Sequence, residues 1–153
     1  MIRVALVDDQ TLVRRGIRAL LALAGDIDIV AEASDGEEGL GAIRDHRPDV
    51  VLLDVRMPRR SGIDVLRECQ TWPAPPPVIL LTTFDDDQVL IEGVKAGAKG
   101  YLLKDVSLEV LTDAIRTVAA GGSVVRPAVT ESLLRGLRRT TRDFDALDLP
   151  DPL

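Results

Sequence analysis

Two short stretches of the sequence decide the fold: Val4-Ala5-Leu6-Val7-Asp8-Asp9 and Val50-Val51-Leu52-Leu53-Asp54. In each, an apolar run of the length of a buried strand ends abruptly in carboxylates. Near-continuous runs of Val, Ile and Leu are typical of the interior strands of a parallel sheet, and ligands of such sheets bind beyond the carboxyl ends of the strands. The sequence therefore predicts that Asp8, Asp9 and Asp54 share one crevice.

Three carboxylates in one crevice repel one another, so this arrangement calls for a cation between them. Hard divalent cations prefer oxygen ligands, which makes Mg²⁺ (or Mn²⁺) the metal that such a set of residues indicates. We therefore expect the crevice to hold a hard divalent metal ion.

Strand-like runs alternate with helical patterns over roughly the first 120 residues. The predicted strands cover residues 3–7, 27–33, 49–54, 78–82 and 101–103, and the predicted helices cover residues 10–23, 37–47, 62–72, 85–96 and a stretch that starts near residue 107. Such alternation predicts a parallel sheet with helices on both faces. For five strands the leading choice is the doubly wound, flavodoxin-like (βα)5 α/β fold with strand order 2-1-3-4-5, in which strands one and three are neighbours.

The composition changes after Gly121-Gly122. We therefore assign residues 1–121 to one α/β domain and residues 122–153 to a C-terminal linker, with one helix opened by Pro127. The segment from Arg138 onward is polar and interrupted by proline, which is typical of a linker.

Overall composition excludes several classes of protein. The chain has 153 residues, a formal net charge of −6 and 3% aromatic residues, so it lacks the basic surface and stacking rings of a nucleic-acid-binding domain. The single cysteine, Cys69, permits no intrachain disulfide. Neither a signal segment nor a run long enough to span a bilayer is evident, so we expect a cytoplasmic protein without membrane contact.

The other predicted strand ends add a hydroxyl and an ammonium group. Strand four ends at Thr82 and strand five is followed by Lys104. Carboxylates, a hydroxyl, an ammonium group and a divalent metal around one crevice fit phosphoryl transfer, in which positioning and charge neutralisation dominate and a carboxylate can act as the nucleophile.

These motifs resemble the receiver domain of two-component response regulators over residues 1–121. The resemblance is carried by Asp8-Asp9, by Asp54-Val55-Arg56-Met57-Pro58-Arg59-Arg60-Ser61-Gly62, by Thr82, and by Gly97-Ala98-Lys99-Gly100-Tyr101-Leu102-Leu103-Lys104-Asp105. The Leu-Leu-Lys-Asp ending and Leu12-Val13-Arg14-Arg15-Gly16 are most similar to the NarL/LuxR-type subfamily of transcriptional regulators.

The resemblance implies a role for each acidic residue of the crevice. Asp54 would accept a phosphoryl group from a histidine kinase. Asp8, Asp9, Asp54 and the backbone carbonyl of Arg56 would bind Mg²⁺, with Asp8 acting partly through water. The chain would then be a phosphoacceptor that assists its own phosphorylation, not a turnover enzyme.

The resemblance also implies a switch. Thr82 would form a hydrogen bond to the acyl phosphate, Lys104 would pair with a phosphate oxygen, and Tyr101 would turn inward when Thr82 moves. This event would bias the surface formed by the fourth helix, the fifth strand and the fifth helix.

The expected output is regulation of transcription. Regulators of this type carry a C-terminal helix-turn-helix domain after the linker, so we expect DNA to be bound only through such a domain, absent from these residues, and the chain to be a shortened form of a longer transcription factor. We also expect a homodimer on phosphorylation, through helices one and five or through helix four, strand five and helix five.

Two alternatives differ from this reading. The chain could be a stand-alone or phosphorylation-independent receiver that acts through protein contacts. A phosphatase of the haloacid dehalogenase type would need a general-acid aspartate two positions after its nucleophile, where this chain has Arg56. A P-loop NTPase is excluded because the chain has no Gly-x-x-x-x-Gly-Lys-Ser/Thr run.

Overall fold

The computed structural model describes residues 1–83 and 87–125 of the chain. Strands and helices alternate along these residues in the order β1 (Ile2–Val7), α1 (Thr11–Leu21), β2 (Ile27–Ala33), α2 (Gly36–His46), β3 (Val50–Asp54), α3 (Gly62–Gln70), β4 (Val78–Thr82), α4 (Asp87–Lys95), β5 (Gly100–Leu103), α5 (Leu108–Ala119) and β6 (Val124–Val125). The predicted bounds of the first nine elements, and the predicted start of α5, agree with these to within two residues. The helix predicted after Pro127 lies outside the described residues.

The strands form one parallel sheet in the order β2-β1-β3-β4-β5-β6. The predicted order 2-1-3-4-5 and the flavodoxin-like fold are thus confirmed. The sixth strand was not predicted: Val124 and Val125 pair with Gly100 and Tyr101 on the outer edge of β5. A strand of two residues carries no periodicity, so the sequence pattern gave no sign of it, and it lies beyond the predicted domain boundary at residue 121.

The core consists of two layers, one on each face of the sheet. Alternate residues of an interior strand point to opposite faces. In β1, Ala5 and Val7 face the layer beneath α2, α3 and α4, whereas Val4 and Leu6 face the layer beneath α1 and α5. All four of these side chains are fully buried, as expected for a strand that is covered on both faces.

Three helices begin at a residue whose side chain caps the helix. Asp35, Ser61 and Ser107 each accept a hydrogen bond from the backbone N–H three residues further along the chain. Such caps satisfy one of the free N–H groups of the first turn. Helix α1 differs: Gln10 occupies its N-cap position, and the Gln10 side chain forms no capping hydrogen bond.

Cys69 lies on the inner face of α3 and is fully buried. Burial, with a smaller contribution from the charge of Glu68, raises the pKa of the Cys69 thiol to about 11. The thiol therefore serves packing rather than redox chemistry. Within residues 1–83 and 87–125, no helix combines the length and the apolar character needed to cross a bilayer.

Candidate functional site

The predicted site residues meet at the carboxyl edge of the sheet. Val7 of β1 pairs with Leu53 of β3, so the residues that follow, Asp8 and Asp54, lie side by side. Strand β4 neighbours β3 on its other side, and β5 follows β4. The parallel strands therefore deliver the acidic residues, Thr82 and Lys104 to one end of the molecule.

The three aspartates form a compact acidic cluster. One carboxylate oxygen from each of Asp8, Asp9 and Asp54 lies within 4.8 Å of the others. Asp8 is fully buried and Asp54 is 4% exposed, whereas Asp9 is open to solvent. The backbone N–H of Gln10 donates to Asp8 Oδ1 over 2.8 Å, and the backbone N–H of Arg56 donates to Asp54 Oδ1 over 3.3 Å.

Lys104 brings the balancing positive charge. Its Nζ lies 3.0 Å from Asp8 Oδ2 and 3.1 Å from Asp54 Oδ2, and its side chain is only 8% exposed. The backbone N–H of Lys104 donates to the Thr82 carbonyl over 2.8 Å, which ties the residue to the end of β4. The ammonium group is thus held between two buried carboxylates, where charge interactions are less screened than at the surface.

The Asp54 carboxyl holds its proton more tightly than an ordinary aspartate. Burial is the main cause and the neighbouring charge of Asp8 is the second, and together they raise the pKa of Asp54 to about 6. The hydrogen bond and the charge of Lys104 act in the opposite direction, and a hydrogen bond with Asp9 adds to the rise. Asp54 is therefore mostly ionised at neutral pH, but at a cost in free energy.

The cluster fits a hard divalent cation. Asp8 Oδ2 is buried and accepts no hydrogen bond of good geometry from the described residues, although the Lys104 ammonium lies 3.0 Å away. A buried carboxylate oxygen with free lone pairs, beside two more carboxylates, is the donor set that Mg²⁺ binds. The fourth predicted ligand, the backbone carbonyl of Arg56, belongs to a residue whose N–H contacts Asp54 directly.

The two predicted switch residues lie on adjacent strands. Thr82 ends β4 and is 5% exposed, and Tyr101 of β5 is 1% exposed. The Tyr101 ring packs in the layer beneath α2, α3 and α4, so it already faces inward in this structure. An inward turn of Tyr101 would thus require a second conformation in which the ring lies outside this layer.

Two residues for which the sequence predicted no role, Gly62 and Gln10, contribute to the site. Gly62 lies against the Asp54 backbone, and a Cβ at this position would come within 2.1 Å of the Asp54 carbonyl oxygen. The Gln10 side chain accepts a hydrogen bond from Lys104 Nζ over 2.8 Å. Gln10 carries no recognisable chemistry in the sequence, and only its unusual place as a helix N-cap could have drawn notice.

A cavity of about 760 Å³ lies away from this site, at the amino-terminal edge of the sheet. Its lining includes Arg44, Arg47, Trp72 and the proline-rich segment 73–77. The acidic cluster is therefore recognised by its chemistry and not by the size of a pocket.

The comparisons with known proteins agree with this geometry. The family model described as "Response regulator receiver domain" matches residues 4–116. The uncharacterized transcriptional regulatory protein YxjL of Bacillus subtilis (strain 168) is 39% identical over 151 residues, which cover 99% of this chain and 69% of that protein. The nitrate/nitrite response regulator protein NarL of Escherichia coli (strain K12) is 34% identical over 148 residues, which cover 95% of this chain and 68% of that protein.

Solved structures of response regulators are also similar to this chain. The signal receiver domain of the putative response regulator NarL from Mycobacterium tuberculosis matches with a TM-score of 0.76 and 36% identity, over 78% of this chain and 97% of that chain. A LuxR-family two-component response regulator from Aurantimonas sp. SI85-9A1 matches with a TM-score of 0.82 and 29% identity, over 88% of this chain and 96% of that chain.

The chain belongs to the response regulator receiver domain family. More narrowly, it carries the receiver domain of a two-component response regulator of the NarL/LuxR type, and its relatives are transcriptional regulators.

Proposed function

We propose that Asp54 accepts a phosphoryl group from a sensor histidine kinase in a Mg²⁺-dependent reaction. The observation that carries this proposal is the placement of Asp54. Its carboxylate is 4% exposed, lies 3.1 Å from Lys104 Nζ and shares the acidic cluster with Asp8 and Asp9. A nucleophile, a fixed positive charge and a set of metal ligands thus occur together, as phosphoryl transfer requires.

In the proposed reaction an Asp54 carboxylate oxygen attacks the phosphorus of a phosphohistidine. The O–P bond forms as the P–N bond breaks, and the imidazole of the kinase leaves with the electron pair. Because the pKa of Asp54 is about 6, the carboxylate is mostly ionised and ready to attack at neutral pH. Lys104 is close enough to balance the charge of the transferred group.

Asp8, Asp9 and Asp54, with the backbone carbonyl of Arg56, would hold the Mg²⁺ ion. When bound, the ion neutralises charge on the phosphoryl oxygens. The burial of Asp8 supports this assignment, because its Oδ2 accepts no hydrogen bond of good geometry within the described residues. The phosphoryl group stays on the protein afterwards, so the chain acts as a phosphoacceptor and not as a turnover enzyme.

Phosphorylation would act as a switch through Thr82 and Tyr101. A phosphoryl group adds negative charge and acceptor oxygens beside β4, to which the Thr82 hydroxyl can donate a hydrogen bond. When the Thr82 hydroxyl is held by the phosphoryl group, space opens beside β5. This space favours the inward position of the Tyr101 ring. The equilibrium between inward and outward rings would then bias the surface of α4, β5 and α5.

We propose that the phosphorylated chain forms a homodimer through the α1–α5 surface rather than through the α4-β5-α5 surface. Leu12 and Leu23, on and just after α1, are 83% and 75% exposed, and a partner surface that covered them would remove this apolar area from water. A Cβ at Gly16, between them, would meet nothing within 4 Å among the described residues, so there is open space beside α1 at this position.

Two matched substitutions distinguish the dimer surfaces. Leu23→Glu places a charge on the α1 side, and Val94→Glu places one on α4, where Val94 is 39% exposed. Light scattering with beryllofluoride, a phosphoryl mimic, should show a dimer for wild type and Val94→Glu and a monomer for Leu23→Glu. The reverse pattern would assign the dimer to α4-β5-α5, and a wild-type monomer would remove the dimer from the proposal.

We further propose that the protein regulates transcription and contacts DNA through a domain outside these residues. The chain is acidic, with a net charge of −6, which disfavours direct contact with DNA phosphates. It spans 69% and 68% of the two named relatives, both of them regulators by name. A cytoplasmic location stays a prediction.

The central proposal is tested by acetyl phosphate. Intact-mass spectrometry should show the gain of one phosphoryl group in the presence of Mg²⁺, with no gain after chelation. Asp54→Asn should abolish the gain, whereas Asp64→Asn, at an exposed position on α3, should leave it unchanged. An unmodified wild type would favour the alternative of a phosphorylation-independent receiver.

A further inference from the structure

The Lys104 ammonium group has a third partner besides the two aspartates. Its Nζ donates to Gln10 Oε1 over 2.8 Å, the shortest of its three contacts. An ammonium group has three N–H donors and no acceptor. The ammonium group lies among Asp8, Asp54 and Gln10, and Gln10 is the one partner of these three that carries no charge.

Gln10 also contacts the acidic cluster through its backbone. Its N–H donates to Asp8 Oδ1 over 2.8 Å. One residue thus holds one oxygen of Asp8 through its main chain and the Lys104 ammonium through its side chain. These two bonds fix Lys104 relative to the metal-binding edge of the cluster.

The position of Gln10 in the chain suggests that this contact has a function. Gln10 is the N-cap of α1, where Ser, Thr, Asp or Asn would bond to the helix N–H groups and stabilise the helix. The Gln10 side chain forms no such cap and reaches Lys104 instead, across 94 positions of sequence. The helix lacks a side-chain cap while the contact to Lys104 is made.

We propose that Gln10 is a positioning residue that holds the Lys104 ammonium for the phosphoryl group. This inference rests on the proposed function of Asp54. Of the three partners of Lys104, Asp54 would become phosphorylated and Asp8 would turn to the cation. The neutral amide oxygen of Gln10 stays available throughout, so it keeps Lys104 directed at the crevice when both carboxylates are engaged.

Three variants separate positioning from helix stability. Gln10→Met keeps the length of the side chain but removes the acceptor. Gln10→Asn is too short to reach Lys104 but is a better helix cap, so its stability should equal or exceed that of the wild type. Gln10→Glu retains an acceptor oxygen and should retain the contact. Gln70→Asn, at the exposed end of α3, is the matched control.

The first measurement uses metal-free protein and does not depend on phosphorylation. The chain has three lysines, Lys95, Lys99 and Lys104, so ¹⁵N-lysine labelling gives few ammonium signals. The Lys104 signal, assigned with Lys104→Arg, should be protected from exchange in the wild type, in Gln10→Glu and in Gln70→Asn. Its protection should fall in Gln10→Met and Gln10→Asn.

The second measurement is the affinity for beryllofluoride in the presence of Mg²⁺. Gln10→Met and Gln10→Asn should bind it about tenfold more weakly, as expected for loss of a hydrogen bond to a charged group. Unchanged ammonium signals and affinity in both variants would overturn the inference. A wild type that binds no beryllofluoride would instead overturn the proposed function, and the ammonium signals alone would then decide whether Gln10 holds Lys104.

Discussion

Gly62 lies directly against the backbone of Asp54. A Cβ at residue 62 would come within 2.1 Å of the Asp54 carbonyl oxygen and 2.9 Å of the Val55 Cα, and the Gly62 N–H donates to the Val55 carbonyl over 2.8 Å. The atoms in the way are main-chain atoms of β3 and its exit, which cannot turn aside as a flexible side chain can. The first residue of α3 is therefore packed against the residue that we propose as the phosphoryl acceptor.

Substitution of Gly62 should destabilise the protein strongly. We expect Gly62→Ala to lower the free energy of unfolding by about 2 kcal/mol or more, because the added methyl group must displace backbone. Gly41→Ala is the matched control, since Gly41 lies within α2 and a Cβ there would meet nothing within 4 Å. This second change should stabilise the protein by about 0.5–1 kcal/mol. Urea unfolding measures both, and equal effects would show that the approach of Gly62 to Asp54 imposes no constraint.

The raised pKa of Asp54 makes stability depend on pH. The folded state holds this proton up to about pH 6, whereas an unfolded aspartate loses it near its ordinary value of 3.8. The folded state therefore binds more protons between these values, and the contribution of Asp54 to stability falls as pH rises through this window. Above it, the ionised carboxylate destabilises the metal-free fold.

Asp54→Asn should remove that penalty. In metal-free buffer at neutral pH we expect the variant to be more stable than the wild type by about 1–3 kcal/mol, with the difference vanishing near pH 4. Thermal unfolding between these pH values gives the comparison, with Asp105→Asn as a control at an exposed carboxyl. A difference that does not change with pH would contradict the assignment of the raised pKa to Asp54.

Mg²⁺ should stabilise the folded chain. An ion that binds only the folded state at ten times its dissociation constant adds about 1.4 kcal/mol to the free energy of unfolding. Calorimetry should show a melting temperature that rises with Mg²⁺ concentration. Asp9→Asn should reduce this dependence without loss of stability in metal-free buffer, because Asp9 is exposed and removal of its charge relieves repulsion in the cluster. A wild type that is insensitive to Mg²⁺ would exclude the metal site.

The reactivity of the Cys69 thiol should report unfolding of the protein. The thiol is fully buried and its pKa is raised to about 11, so the reactive thiolate is both scarce and inaccessible in the folded chain. We expect slow reaction with an aromatic disulfide reagent in native buffer and rapid reaction in concentrated guanidinium. Ala120→Cys adds an exposed thiol after α5 as a control and should react at once. Rapid modification of Cys69 in the native wild type would contradict its burial.

The sheet could be predicted well because its strands combine two signals in the sequence: an uninterrupted apolar run, and carboxylates where β1 and β3 end. Val50–Asp54 and Val78–Thr82 are buried on both faces, so burial appears in the sequence as uninterrupted apolar runs. The carboxylates after β1 and at the end of β3 then marked the functional edge. Local patterns sufficed for these elements because their residues have few other acceptable environments.

The remaining features depend on distant neighbours. Strand β6 forms because the backbone of Val124 and Val125 pairs with the outer edge of β5. Two valines alone do not predict a strand. The contact between Gln10 and Lys104 joins residues 94 positions apart, and its amide could equally well have faced solvent. The inward Tyr101 ring likewise follows from the packing of a whole layer and not from its local sequence.

Strand β6 ties the main chain at Val124 and Val125 to the edge of the sheet. It is hydrogen-bonded alongside Gly100 and Tyr101, and Lys104 lies three positions after Tyr101 on the same strand exit. A displacement of β5 that accompanies a change at Tyr101 would be carried sideways through this ladder into the main chain at residue 125. The last described residue of the chain would thus change position together with the strand that carries Tyr101.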